Sequence, residues 1–334
     1  MYERLDVVKL KSGEEVELGV VMGPDLDWAD RIDEDLLGHK GPAWRWGNRQ
    51  VLTEELDLEA YFYILHRDGV PFANVMNIEY QGIGILGHVF TRPEDRRQGA
   101  CSKTFEQLMP HFRSRGGRVL ILGTGFDSHP YHIYRSFGFE GIEPKSGIMA
   151  YYTDSQAAFE EAFFADGPVA VERLGASHYP VTPILFVGVF PGTVRSATMH
   201  LFGCSSSEGP LIPLLRDELE RVEQDQGVRT AVLKQQETEA VVGIATYDRD
   251  AVWPGTCLVD VYCHPNFWGQ AGNLLSRIDL PEMHRYVVYC DAGFEAKEQV
   301  LTEAGYQRVA TLEEWVPADR AVSRFVDVGV WEKR

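Results

Sequence analysis

One order of segments occurs twice along this 334-residue chain, and that repetition restricts its fold more than any other feature. In the first half, "AYFYILHRD", "VPFANVMNIEY" and "GIGILGHVFT" read as three antiparallel strands, with Asp68-Gly69 as a two-residue hairpin turn. "EEVELGVVM" before them alternates like a first strand, and "DLDWADRIDEDLL" and "RQVLTEELD" between carry helical patterns. A glycine-bearing connection then leads into "CSKTFEQLMPHFRSR", a helix that Pro110 is set to kink or stop. "GRVLILGT" is almost wholly apolar, as a strand covered on both faces must be, and "YHIYRSFG" and "GIMAYYT" give a short helix and a last strand. From near Gly167 the order recurs in "VAVERL", "RTAVLKQQETEAVVGIATYDRD", "GTCLVDVYCHP", "AGNLLSRI", "RYVVYC" and "EAKEQVLTEAGY". The expectation is an α/β chain of the α+β kind. It has two tandem domains, 1–153 and 168–334, each a mixed, mostly antiparallel sheet flanked by helices, with a linker helix over 154–167.

Composition narrows the function classes. A formal charge of −18 weighs against nucleic acid, whose phosphates need a basic surface. The strongest apolar run, "PVTPILFVGVFPG", is broken by proline and glycine, so it reads as buried core and no membrane is implied. The N-terminus lacks the basic-then-apolar order of a signal peptide, and five cysteines without a CxxC spacing imply neither disulfide framework nor zinc site. A cytoplasmic protein is expected. His129 and His132 have no acidic or cysteine companions, so no metal is expected there either.

Two glycine motifs need separating. "GIGILG" (82–87) satisfies GxGxxG, but it leads into "HVFT" and Pro93, so the chain stays extended and no helix opens where a dinucleotide fingerprint requires one. "TRPEDRRQGACSK" is different. Pro93 stops a strand, Gly99 permits a left-handed backbone, and Ala100, Cys101 and Ser102 leave the first amides of the next helix unshielded. With Arg96 and Arg97 beside a helix N-terminus, the stretch reads either as a pyrophosphate cradle or as a solvated basic turn.

"VFTRPEDRRQGACS" resembles the acetyl-CoA signature of the GNAT superfamily of N-acetyltransferases, Arg/Gln-x-x-Gly-x-Gly/Ala, on which Arg96, Gly99 and Cys101 fall. "YRSFGFE" resembles the family's second landmark, Tyr-x-x-x-Gly-Phe. The resemblance covers the first half and implies two GNAT-like domains with acetyl-CoA as co-substrate. It implies that Val89, Phe90 and Thr91 offer backbone groups to the pantetheine arm and thioester carbonyl. It places the pyrophosphate on Arg96, Arg97, Gln98, Gly99, Ala100, Cys101 and Ser102, and Tyr134 near the sulfur as the acid for the departing thiolate. The alternative for Tyr134 is an ordinary core aromatic. The family's carboxylate or histidine base is missing: Ile85 and Gly87 stand at its positions, His88 is expected to face the opposite side of the strand, and Glu79 is a further candidate.

The second half keeps the apolar skeleton and loses the chemistry. Gly269-Gln270-Ala271 matches Gly-x-Ala, but Asn266 takes the arginine place, Trp268 would crowd the amides, and Leu301 stands where the first half has Tyr134. A structural role without acetyl-CoA is expected for it. Asp25, Asp27, Asp30, Asp33, Glu34 and Asp35 are either an exposed helix face or a field for a cationic amine, and Trp44 and Trp46 either an acceptor wall or core. Three functions stay open: an N-acetyltransferase acting on a small-molecule or peptide amine, a non-catalytic acyl-CoA sensor or scaffold, and an interaction protein without cofactor.

Overall fold

A computed structural model describes residues 1–319 and 322–334, and the chain divides into two units, 1–141 with 147–155 and 142–146 with 156–334. The first unit begins with an antiparallel hairpin, β1 (Tyr2–Lys9) and β2 (Glu15–Met22). Then comes α1 (Leu26–Ile32), which Asp25 caps by accepting from the Trp28 amide. A π-helical turn (Asp33–Leu37) and α2 (Pro42–Thr53) complete this helical layer. β3 (Glu59–Arg67), β4 (Val70–Tyr80) and β5 (Ile83–Thr91) form the expected meander, with Asp68 and Gly69 both left-handed at the first turn (φ 48° and 80°). α3 (Ala100–Ser114), β6 (Val119–Gly123), α4 (His129–Ser136), β7 (Glu140–Gly141) and β8 (Ile148–Tyr152) follow.

The sheet order is β1-β2-β3-β4-β5-β6-β8-β7, and within it β5 and β6 pair in parallel. α3 lays Phe105, Leu108, Met109 and Phe112 against Tyr63, Val75, Leu86 and Leu120 of the sheet. Burying each phenylalanine is worth roughly 2–3 kcal/mol, which explains why α3 runs straight through Pro110 where an early stop was conceivable. Gly84 lies in strand β5: a Cβ there would come within 2.9 Å of the Ile78 carbonyl oxygen, so close backbone packing, and no dinucleotide, accounts for the "GIGILG" glycine.

The second unit comprises α5 (Gln156–Phe163), β9 (Val169–Arg173), α6 (His178–Val187), β10 (Val194–Ser196), β11 (Leu201–Phe202), α7 (Glu208–Glu223), β12 (Thr230–Gln235), β13 (Val241–Arg249), β14 (Thr256–Cys263), α8 (Ala271–Arg277), β15 (Arg285–Asp291), α9 (Glu295–Glu303), β16 (Gln307–Pro317) and β17 (Phe325–Lys333). Its large sheet runs β9-β12-β13-β14-β15-β17-β16, which is the order of the first sheet without β1. Here β14 and β15 form the parallel pair, again over three residues. The "PVTPILFVGVFPG" run supplies α6, every residue of which is buried. No helix among the described residues is long and apolar enough to cross a membrane.

Candidate functional site

The site of interest in the first unit grows out of a mismatch in strand length. β5 meets β6 only at Ile83, Gly84 and Ile85, then continues to Thr91 on its own course. Along this free stretch the β4–β5 register slips between Asn74 and Met76, so that His88 and Val89 together face the one residue Val75. His88 takes φ 50°, and its carbonyl accepts from the Asn74 side-chain Nδ2 at 3.0 Å. The extra residue reverses the alternation. Val89 packs with the α3-side core, whereas His88 lies edge-on to Trp44 of α2 at 5.2 Å. The expectation that His88 faces away from the Ile85 and Gly87 side is therefore corrected: a bulge, not simple period-two alternation, sets its direction. Burial, reinforced by Lys40 and His39, drives the His88 imidazole down to about 3, so it is neutral.

Beyond β5 the chain builds a cradle. Pro93–Asp95 form a single 3₁₀ turn, and Arg96 folds back so that its Nε donates to the Thr91 carbonyl at 3.1 Å. Arg97 and Gly99 are both left-handed (φ 64° and 85°), which swings the chain into α3. No side chain caps α3, so its first-turn amides point outward beside a positive helix end. Asp95, nearly buried, would oppose an anion here, but Arg67 binds it at 2.8 Å and Glu14 at 2.7 Å. Arg97 makes no ion pair among the described residues.

A cavity of about 460 Å³ joins this cradle to α4. Val89, Phe90, Thr91, Arg96, Arg97, Gly99, Ala100, Cys101, Ser102 and Tyr134 all line it. Gln98 does not; its carbonyl accepts from the Lys11 amide at 3.0 Å. Ser128 caps α4 by accepting from the Tyr131 amide, which fixes the helix that carries Tyr134. Tyr134 is 5% exposed, packed on Phe105 at 5.5 Å between ring centres, and its hydroxyl has no hydrogen bond among the described residues. Burial, with Cys101 beside it, pushes this phenol well above its ordinary range, while the Cys101 thiol is pushed up to about 12 by burial. Both are therefore neutral, and Tyr134 can donate a proton but cannot hold a negative charge cheaply. His129 also lines the cavity, and His132 pairs with Asp127 at 3.0 Å.

The other candidates sit elsewhere. Glu79 is fully buried with Arg115 forked onto both its oxygens at 2.9 and 3.0 Å, and it is not part of the cavity wall. Burial lifts its carboxyl to about 7 against the pull of Arg115, so Glu79 belongs to a network with Asn77 and Tyr63 near the far end of α3. The acidic helical segment is largely neutralised: Asp25 binds the N-terminal amine, Asp30 Arg49, Asp33 Arg45 and Asp35 Arg92. Neither a bare acidic field nor a plain solvated face describes it. Trp46 lines a separate cavity with Lys40, Arg45 and Arg49, and Trp44 meets His88. Sequence reasoning missed Lys11, which reaches the cradle from the β1–β2 hairpin; no local signal marks it.

The corresponding region of the second unit is filled. β14 and β15 part after Leu258 and Val287, and β10 enters between them. Asp260 of β14 accepts from Ser196 Oγ at 3.1 Å and the Thr198 amide at 2.7 Å, while Asp291 of β15 accepts from the Thr193 and Val194 amides at 2.6 Å each. Pro265–Gln270 form a 3₁₀ helix running into α8 with no left-handed glycine, and Trp268 packs edge-on to Phe294 at 5.2 Å. Leu301 is fully buried.

No family model matches the sequence, and no curated protein matches it. Solved structures do. The yncA protein of Salmonella typhimurium, solved with its cofactor acetyl-CoA, is 16% identical; the match covers 50% of this chain and 93% of that one, with a TM-score of 0.37. An N-acetyltransferase from Staphylococcus aureus Mu50 is 14% identical over 50% of this chain and 98% of its own, TM-score 0.37. A GNAT-family acetyltransferase from Streptococcus pneumoniae is 13% identical over 50% and 99%, TM-score 0.36. These three similar structures are thus named as acetyltransferases, that of Streptococcus pneumoniae as one of the GNAT family, and each matches about half of a chain that carries two sheets of one strand order.

Proposed function

We propose that this protein is a tandem GNAT-type acyltransferase that moves an acetyl group from acetyl-CoA to an amine, with the chemistry in the unit of residues 1–153. The observation that carries the reading is convergence: the uncapped start of α3 behind left-handed Gly99, the stretch of β5 beyond its pairing with β6 and the unpartnered hydroxyl of Tyr134 all open on one cavity. The amides of α3 and the Arg96 and Arg97 guanidinium groups suit a pyrophosphate. Val89, Phe90 and Thr91 lie where an extended thioester arm could add along the strand edge.

The reaction asks for three things: a neutral amine, polarisation of the thioester carbonyl, and a proton for the leaving thiolate. A backbone N–H of the bulged strand aimed at the carbonyl supplies the second. Tyr134, held neutral by burial, supplies the third. Neither His88 nor Glu79 lines the cavity, so neither is placed to take the amine's proton. Calorimetric titration of acetyl-CoA into the wild type and Gly99→Glu tests the binding half; saturable binding that the variant loses is expected. An amine screen then decides whether the site turns over, and binding without turnover for any amine would favour an acyl-CoA sensor, which the lack of a carboxylate at Ile85 already permits.

A further inference from the structure

We infer that Lys11 is a phosphate-reading residue of the cradle, selecting acyl thioesters that carry the nucleotide half of CoA over bare pantetheine thioesters; this rests on the acyl-CoA reading above. Lys11 is placed by structure on both sides of it. Leu10, its neighbour, is 3% exposed and packs in a cluster with Ala100, the first residue of α3. The Lys11 amide donates to the Gln98 carbonyl at 3.0 Å, and the hairpin closes behind it through Leu10 and Glu14 at 2.8 Å. Its stem runs beside the cap of α3: a Cβ on Gly99 would lie 3.8 Å from Lys11 Cε. The lysine therefore hangs over the helix end that would hold phosphate.

Charge bookkeeping around it points the same way. Glu14 of the same hairpin and Asp95 of the cavity wall are both bound by the forked Arg67 guanidinium, and Lys11 makes no ion pair among the described residues. Arg97, which lines the same cavity, is likewise without an ion pair among the described residues. Two cations without ion pairs thus line the same cavity as one uncapped helix N-terminus. Tyr134 suits the thioester; Lys11, beside Gly99 at the start of α3, suits the anionic half, which a flexible ammonium can follow as a point charge.

The test is calorimetric binding of CoA, 3′-dephospho-CoA and pantetheine to the wild type, Lys11→Met and Lys11→Arg. Lys11→Met is expected to weaken CoA about tenfold, the ratio that 1.4 kcal/mol represents, to leave pantetheine within about twofold, and to flatten the salt dependence of CoA binding. Lys11→Arg should restore most of the affinity. A loss seen equally with dephospho-CoA assigns Lys11 to the pyrophosphate, and a loss confined to CoA assigns it to the 3′-phosphate; either supports the inference. Lys11→Met binding CoA like the wild type, or weakening pantetheine as much as CoA, overturns it while leaving the acyl-CoA reading intact. A folded wild type that binds no CoA overturns both.

Discussion

The two halves of this molecule share a strand order, a three-residue parallel pair and a divergence of strands beyond it, yet they treat the resulting gap in opposite ways. In the first unit β5 bulges at His88 and borders a cavity of about 460 Å³. In the second, β10 occupies the gap, with its amides and hydroxyls satisfied by Asp260 and Asp291. The divergence is thus a property of the topology and not of activity. Parted strands expose backbone groups that must find partners. A unit that binds a thioester arm can leave them to the ligand; a unit that binds nothing has to supply its own chain.

The largest expected effect lies in that filling. Arg195, 1% exposed, donates to the Gly188 carbonyl at 2.8 Å and the Phe190 carbonyl at 3.1 Å and so ties the β10 segment to the end of α6. Arg195→Met strands these buried carbonyls and should cost the second unit roughly 3–5 kcal/mol in denaturant titration. CoA binding by the first unit should be unaffected; a parallel loss of binding would break the claim that the two gaps are independent. Gly99→Glu, which forces a side chain into φ 85° and puts a carboxylate at the cradle, should weaken CoA about 100-fold. Gly269→Glu, at the matching place in the second unit, should change CoA binding by less than about twofold, within the ordinary scatter of surface substitutions. Tyr134→Phe should lower kcat about 100-fold, within the range for a positioned acid, with the Kd for acetyl-CoA nearly unchanged. A fall in binding without a fall in kcat would return Tyr134 to the role of a core aromatic.

What was legible in the sequence was local. The meander, the Asp68-Gly69 turn, the apolar β6 and the stretch from Arg96 to Ser102 each carry their signal within a few residues, and the structure brings all of the latter but Gln98 to one cavity wall. What was not legible depends on pairing at a distance. The direction of His88 follows from a register slip against β4, which alternation cannot reveal. Three carboxylates of the acidic helical segment are paired by Arg45, Arg49 and Arg92, whose positions only the fold brings near. Lys11 reaches Gly99 from the first hairpin. The β10–β11 insert follows an apolar run that reads as generic core, and its function as a filling appears only once β14 and β15 are seen to part.

The smallest effect, and the sharpest separation of the units, is in acid. Each unit buries a histidine near the end of its diverging strand: His88 in the first, driven by burial to about 3, and His264 in the second, driven by burial to about 4 and stacked flat on Phe164 at 4.3 Å. Both folded values lie below the ordinary imidazole value of about 6.5, so the unfolded chain takes up the proton first. Stability from each is fully present above pH 6.5 and falls as the pH drops toward the folded value, by about 1–2 kcal/mol per histidine between pH 6.5 and 5. His88 and His264 belong to different units, so the losses are expected to be separable. His88→Gln should flatten the pH dependence of the first unit's unfolding over that window and leave the second's slope in place, and His264→Gln should do the reverse. Hydrogen exchange read on β5 and on β14 reports the two separately. A slope in both units that either substitution alone removes would mean that they unfold as one body, and the contrast between an open and a filled gap would then have to be argued from ligand binding alone.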